Sequence, residues 1–146
     1  MNKSDVQEQI KRLQQEMQAK AQMAEKGCYD FVVKSSAEVE RTAKSIMRDS
    51  PTNPEVSYGK HNHHPSYAGN PPAPDTGTLL QSVTHSIDVS SDGSVKGYVG
   101  SVLQNPDYPR FLEYGTSKMK PRPWLIASLV KCQSFMSGLF REIFGR

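Results

Sequence analysis

Phe111-Leu112-Glu113-Tyr114-Gly115-Thr116-Ser117-Lys118-Met119-Lys120-Pro121-Arg122-Pro123-Trp124 reads as a corner between two packed elements. Phe111 and Leu112 sit on a short helix, and Gly115 can take the left-handed conformation that ends one. Pro123 suits the first turn of a second helix, where its missing N–H would be unpaired anyway. Trp124, the only tryptophan of the chain, then enters a core as an apolar anchor whose ring N–H needs a partner. Glu113 is read as bonding backbone at the Gly115 corner. Lys118, Lys120 and Arg122 make the loop between the two helices basic.

Working outward, a short helix from Tyr108 to Tyr114 follows the turn Asn105-Pro106-Asp107. The last helix runs from Pro123 to Phe144. Its broad apolar face holds Trp124, Leu125, Leu129, Cys132, Phe135 or Met136, Leu139 and Phe140. Upstream lies a hairpin, with His85, Ile87 and Val89 alternating with polar residues before Val95, Gly97 and Val99 do the same. A three-residue loop, Ser91-Asp92-Gly93 with Gly93 left-handed, sets Val89 opposite Val95 and Ile87 opposite Gly97. A two-residue loop would put Ile87 and Val99 on opposite faces. Asp75-Thr76-Gly77 opens a short helical turn through Leu79, Leu80 and Val83, with Asp75 placed to cap it.

From Pro51 to Pro74 the chain carries six prolines, too many for a helix or a central strand. A connection that long is functional or disordered. The first third reads as one long helix with apolar or small residues at Val6, Ile10, Leu13, Met17, Ala21, Ala24, Cys28, Val32, Val39, Ala43 and Ile46. Ser4 is placed to cap its start, Gly27 to weaken or kink its middle, and Asp49-Ser50-Pro51 to end it. Residues 1–27 form a polar helical extension with a thin apolar stripe. Such a stripe packs on another subunit or stays mobile in isolation. The expected fold is therefore α+β. A long N-terminal helix and a C-terminal helix pack on a small, mainly antiparallel curved sheet, with residues 51–74 as a long Pro-rich loop.

A chain of 146 residues is expected to form a single domain, residues 1–146, around one core. A hydrophobic fraction of 36% and a mean hydropathy of −0.63 are low for a compact globule, which points to either a polar extended segment or a core completed by partner subunits. No run approaches the roughly 18 apolar residues of a membrane span. The polar start, Met1 to Glu8, lacks the apolar region of a secretory signal. Cys28 and Cys132 stand far apart and read as small buried or half-buried thiols of a reducing cytoplasm. Charge is uneven: six basic residues between Thr116 and Arg146 face Glu142 alone, a local net of +5 within an overall +3. That pattern fits ordinary solvated helix faces, an acidic partner or a phosphate backbone.

Catalysis finds no support. His61-Asn62-His63-His64 clusters three imidazoles, but no carboxylate or thiol nearby completes a rigid metal set. An adjacent His-Asn-His in a Pro-rich loop also lacks the hairpin-helix frame of the nuclease motif that those letters spell. His85 reads as a satisfied core histidine. Glu113 lacks a second carboxylate for acid–base work, with Asp75 and Asp107 remote. No serine sits in a strand-to-helix elbow, and no Gly-rich phosphate loop precedes a helix. Neither a cofactor nor a metal is expected.

Two blocks do point somewhere. Gly69-Asn70-Pro71-Pro72-Ala73-Pro74-Asp75-Thr76-Gly77-Thr78-Leu79-Leu80-Gln81-Ser82-Val83 resembles the Pro-Pro, Asp-Thr-Gly, Leu, Ser-Ile run of a family of tailed-bacteriophage neck proteins. Tyr108 through Leu129 resembles that family's second block: aromatic, Glu-aromatic-Gly-Thr, a basic loop, then Arg-Pro-aromatic-Leu. These are the head–tail joining or tail-completion proteins of siphophage-type particles. The order of elements also matches, and the resemblance covers roughly Val32 to Phe140. Asp-Thr-Gly occurs in aspartic proteases too, but there it lies in an apolar strand-loop and needs a second carboxylate, whereas Asp75 precedes a helical turn. The departures are the His-rich stretch from Tyr58 to Tyr67 and the polar first half of the first helix.

The resemblance implies a non-enzymatic virion protein of the tail or neck, made in the host cytoplasm. It implies a homo-oligomeric ring, commonly a hexamer, that completes the tail tube and meets head-completion or adaptor neck proteins. Contact with passing DNA would be non-specific, and no membrane is involved. Implied interface residues are Pro71, Pro72, Asp75, Thr76, Gly77, Glu113, Gly115, Thr116, Lys118, Lys120 and Arg122. The competing readings are a basic nucleic-acid-binding module built on Lys118, Lys120 and Arg122, and a minor tail or capsid component elsewhere in the particle.

Overall fold

A computed structural model describes residues 2–60, 62–105 and 107–145. His61, Pro106 and Arg146, each used in the sequence reading, lie outside the described residues. The order is α1 (Lys3–Arg48), α2 (Thr78–Ser82), β1 (Val83–Val89), β2 (Val95–Ser101), α3 (Asp107–Tyr114) and α4 (Leu125–Phe144). The fold is α+β, with long N- and C-terminal helices and a two-stranded antiparallel sheet.

α1 is a single helix rich in Ala, Lys, Glu, Gln and Met, which are good helix formers. At 1.5 Å per residue it is about 70 Å long. Its cap is Asn2 rather than Ser4: Asn2 and Asp5 form a reciprocal capping box. Gly27 does not break it. A β-carbon there would stand 2.9 Å from Ile143 Cγ2 and 3.0 Å from Phe144 Cε1, so the glycine admits the end of α4 instead. Asp49 closes the helix, as the sequence predicts.

α1 is the hub of the fold. α4 runs antiparallel along one side, with Gly27 against its C-terminal end, Phe31 edge-on to Phe140 at 5.8 Å, and Thr42 Oγ1 3.3 Å from Cys132 Sγ. The β1–β2 hairpin lies on another side, and Gly97 makes its close approach: a β-carbon there would stand 2.9 Å from Val32 Cγ1. The register matches the three-residue loop, with Val89 opposite Val95, Ile87 opposite Gly97, and Gly93 at φ +82°. His85 is satisfied, as expected, but half-buried at the sheet surface rather than in the core: its Nδ1–H donates to Glu40 Oε2, and Lys44 pairs with the same carboxylate's other oxygen.

The core is small. Ala43, Met47, Leu79, Val83, Leu112 and Trp124 form it, with Leu80, Leu103, Met119 and Leu125 packed around. On α4 the buried positions are Ser128, Cys132 and Leu139, whereas Leu129 and Phe140, predicted to be buried, are exposed; of the alternatives Phe135 and Met136, the first is exposed and the second half-buried. Pro123 precedes the helix instead of opening it. Cys132 is buried, but Cys28 is exposed, contrary to expectation. Every described residue from Asn2 to Lys26 is exposed, so the first half of α1 stands free of the fold. No helix among the described residues is long and apolar enough to cross a membrane.

Candidate functional site

The Phe111–Trp124 corner is built from the inside. Gly115 sits at φ +76°, and its N–H donates to Phe111 O at 2.8 Å, ending α3. A β-carbon at Gly115 would meet Met119 O at 2.7 Å, so the turn excludes any side chain there. Thr116 organises the basic loop. Its hydroxyl accepts from Lys118 N–H at 3.2 Å and Met119 N–H at 3.1 Å.

Glu113 is 7% exposed and does more than bond the corner. Its carboxylate accepts three backbone N–H groups at the start of α4: Trp124 at 2.8 Å, Leu125 at 2.9 Å and Ile126 at 2.9 Å. These are donors that an α-helix cannot satisfy internally, and a carboxylate complements the positive end of the helix dipole. Trp124 is 3% exposed, and its ring N–H donates to Pro109 O at 3.3 Å. Arg122 is drawn inward. Its Nε and Nη2 donate to Ser66 O at 3.3 and 3.2 Å, tying the Pro-rich loop to the corner.

That loop is folded back on itself. Thr52 bridges Ser66 and Tyr58 bridges His63, with paired backbone bonds between Tyr58 and His63 at 2.9 and 3.0 Å. Gly69 N–H donates to Pro121 O at 3.0 Å, a second tie to the corner. His64 Nδ1 bonds Val56 O at 2.9 Å, and His63 faces Asp75 at 3.8 Å. Among the described residues no three His, Cys, Asp or Glu side chains stand together as a metal set, and His61 lies outside them.

The two sequence blocks meet in space. Pro72, Ala73 and Tyr108 line a cavity of about 60 Å³ together with His63, Ser66, Leu112 and Arg122. The Ser66 hydroxyl is buried there with no partner among the described residues. On the other side, Pro72 to Leu80 and Tyr108 enclose a second recess of about 160 Å³ over Met47. Burial raises the Tyr108 phenol above its ordinary range, and the nearby Asp75 charge adds to that.

Asp75 does not cap α2. The N-cap is Gly77, left-handed at φ +80°, and Asp75 stays exposed. The Thr76 hydroxyl bonds that of Thr78 at 2.6 Å. Of the implied interface residues, Pro72 and Glu113 are buried within the protomer, and Pro71, Gly77, Gly115 and Arg122 are half-buried. Asp75, Thr76, Thr116, Lys118 and Lys120 face solvent. Sequence reasoning missed the Glu40–His85–Lys44 cluster, although the spacing of Glu40 and Lys44 was visible as an i,i+4 pair. No known protein family, curated protein or solved structure matches the chain.

Proposed function

We propose that this chain is a structural assembly protein of a tailed-bacteriophage virion. In this reading it forms a ring at the head–tail interface that completes the tail tube and joins it to the neck. The observation that carries the reading is the imbalance between core and surface. A handful of buried apolar side chains holds the protomer, while Ile10, Leu13, Met17, Ile126, Leu129, Val130 and Phe140 stand in water. Large exposed apolar patches mark interaction surfaces, and obligate subunit contacts bury upwards of about 2,000 Å². The resemblance of the Gly69–Val83 and Tyr108–Leu129 blocks supplies which assembly this is. Those blocks pack on each other around Pro72, Tyr108 and Arg122, as parts of one module would.

In the ring, copies are related by rotation, hexameric in the family resembled, and neighbours are adaptor and tail-tube proteins. Removing the gene from the phage tests this. Filled heads and finished tails that fail to join are the expected result, and normally joined particles would refute it.

The nucleic-acid reading narrows on the geometry, because Arg122 is committed to Ser66 and leaves Lys118 and Lys120 as the exposed cations of the loop. Two phosphate contacts give a log–log salt slope of about −2 on duplex DNA. A slope of −5 or steeper would favour a dedicated DNA-binding protein over a ring that DNA merely passes.

A further inference from the structure

The face of α1 that α4 covers does not stop where α4 stops. Gly27, Phe31 and Thr42 mark the covered side by their contacts with α4. Counting back from Gly27 in steps of three and four gives Ala24, Lys20, Met17, Leu13, Ile10 and Val6. That is the seam of a coiled coil, in which each step keeps to one side of the helix. Leu13 is 59% and Met17 70% exposed. This free arm, Lys3 to Lys26, is about 36 Å long at the helical rise. Its apolar side is thus the side on which an α4-like helix would lie.

The protomer's own α4 cannot supply that cover. It ends beside Gly27, and α1 is continuous, so the arm cannot fold back. Yet α4 keeps an outer side that α1 does not cover. Ile126, Val130, Gln133 and Ser137 follow steps of four and three opposite its buried Ser128, Cys132 and Leu139, with Leu129 beside them, and Phe140, edge-on to Phe31 of α1, stands half in that row at its far end. Ile126, Leu129, Val130 and Phe140 are exposed. A recess of about 380 Å³ opens at its end, lined by Phe31, Met136, Ser137, Phe140 and Arg141. From Ile126 to Phe140 this side is about 21 Å long, against about 17 Å from Val6 to Met17. Every copy thus carries one apolar stripe on its arm, Val6 to Met17, and one α4 surface of similar length that it cannot bring together itself.

We propose that the arm of one copy packs along the outer side of α4 of a second copy, with the arm's apolar side chains over the Phe31–Phe140 recess. The contact is head-to-tail: each copy gives an arm and receives one. Heterologous contacts of this kind close rings when the rotation permits. It is the subunit contact that the ring reading rests on, but it concerns the chain by itself.

The test is light-scattering mass measurement on the full chain and on two variants, one with Ile10→Glu and Leu13→Glu, the other with Leu129→Glu and Val130→Glu. All four positions are exposed, and circular dichroism checks that each variant is folded. The wild type should assemble, and each variant alone should run as a monomer. Mixed together, the variants should form a one-to-one heterodimer, because one retains an intact α4 side and the other an intact arm. A wild type that is monomeric at high concentration would overturn the contact, and so would a mixture that stays monomeric. An α4 variant that still assembles alone would show arms pairing with arms. Head-to-tail assembly in vitro with a chain absent from phage necks would refute the ring reading and leave this contact standing.

Discussion

Glu113, itself buried, keeps three backbone N–H groups at the start of α4 paired, that of Trp124 buried and those of Leu125 and Ile126 part-buried. Glu113→Ala removes every acceptor at once. Caps contribute about 1 kcal/mol and a buried orphan donor costs about 1–3 kcal/mol, so a loss of about 2–4 kcal/mol is expected in urea unfolding. Glu113→Gln keeps one acceptor oxygen and should lose clearly less; equal losses would mean that charge, not hydrogen bonding, decides the site. Glu40 makes a pH prediction. Hydrogen bonds from Lys44 and then His85 hold its carboxyl below the ordinary range. A carboxyl depressed in the folded state adds stability above its unfolded pKa, near 4, and loses that contribution as pH falls through the folded value. Stability should therefore fall on acidification below about pH 4.5, and Glu40→Gln should flatten that fall. An unchanged pH profile in the variant would remove Glu40 from the account.

At the scale of elements, the Pro-rich loop is the part whose order depends most on one side chain. Arg122 bonds Ser66 O from two nitrogens and has no other tie to the loop among the described hydrogen bonds. Arg122→Ala should speed limited proteolysis between Pro51 and Pro74 severalfold while leaving the helix content of the chain unchanged. Equal cleavage rates would show that the Thr52–Ser66 and Tyr58–His63 bridges and the Gly69–Pro121 bond hold the loop without Arg122. What was legible in the sequence was local. Alternation about Ser91-Asp92-Gly93 determined the hairpin register, and Gly115, Pro123 and Trp124 marked the corner, because turn chemistry acts over a few residues. What escaped depended on distant partners. Gly27 looks like a weak point until Ile143 and Phe144 arrive beside it, and the apolar face of α4 is broader than α1 can cover, so which part of it is buried is set by α1 rather than by periodicity. Asp75 failed as a cap because the left-handed Gly77 took the position.

The whole molecule is a long helix with a small core gathered on its second half. That division explains the low mean hydropathy: the first half of α1 contributes polar surface and one thin seam, and none of the described residues covers either. In the function proposed above, neighbours finish such a protomer, as a ring at the end of a tail would. Electron cryo-microscopy of the phage particle, with symmetry determined at the neck, tests that claim most directly. The account predicts a ring of this chain between head and tail tube, with long helices running between adjacent copies. A well-resolved neck into which the chain does not fit would contradict it.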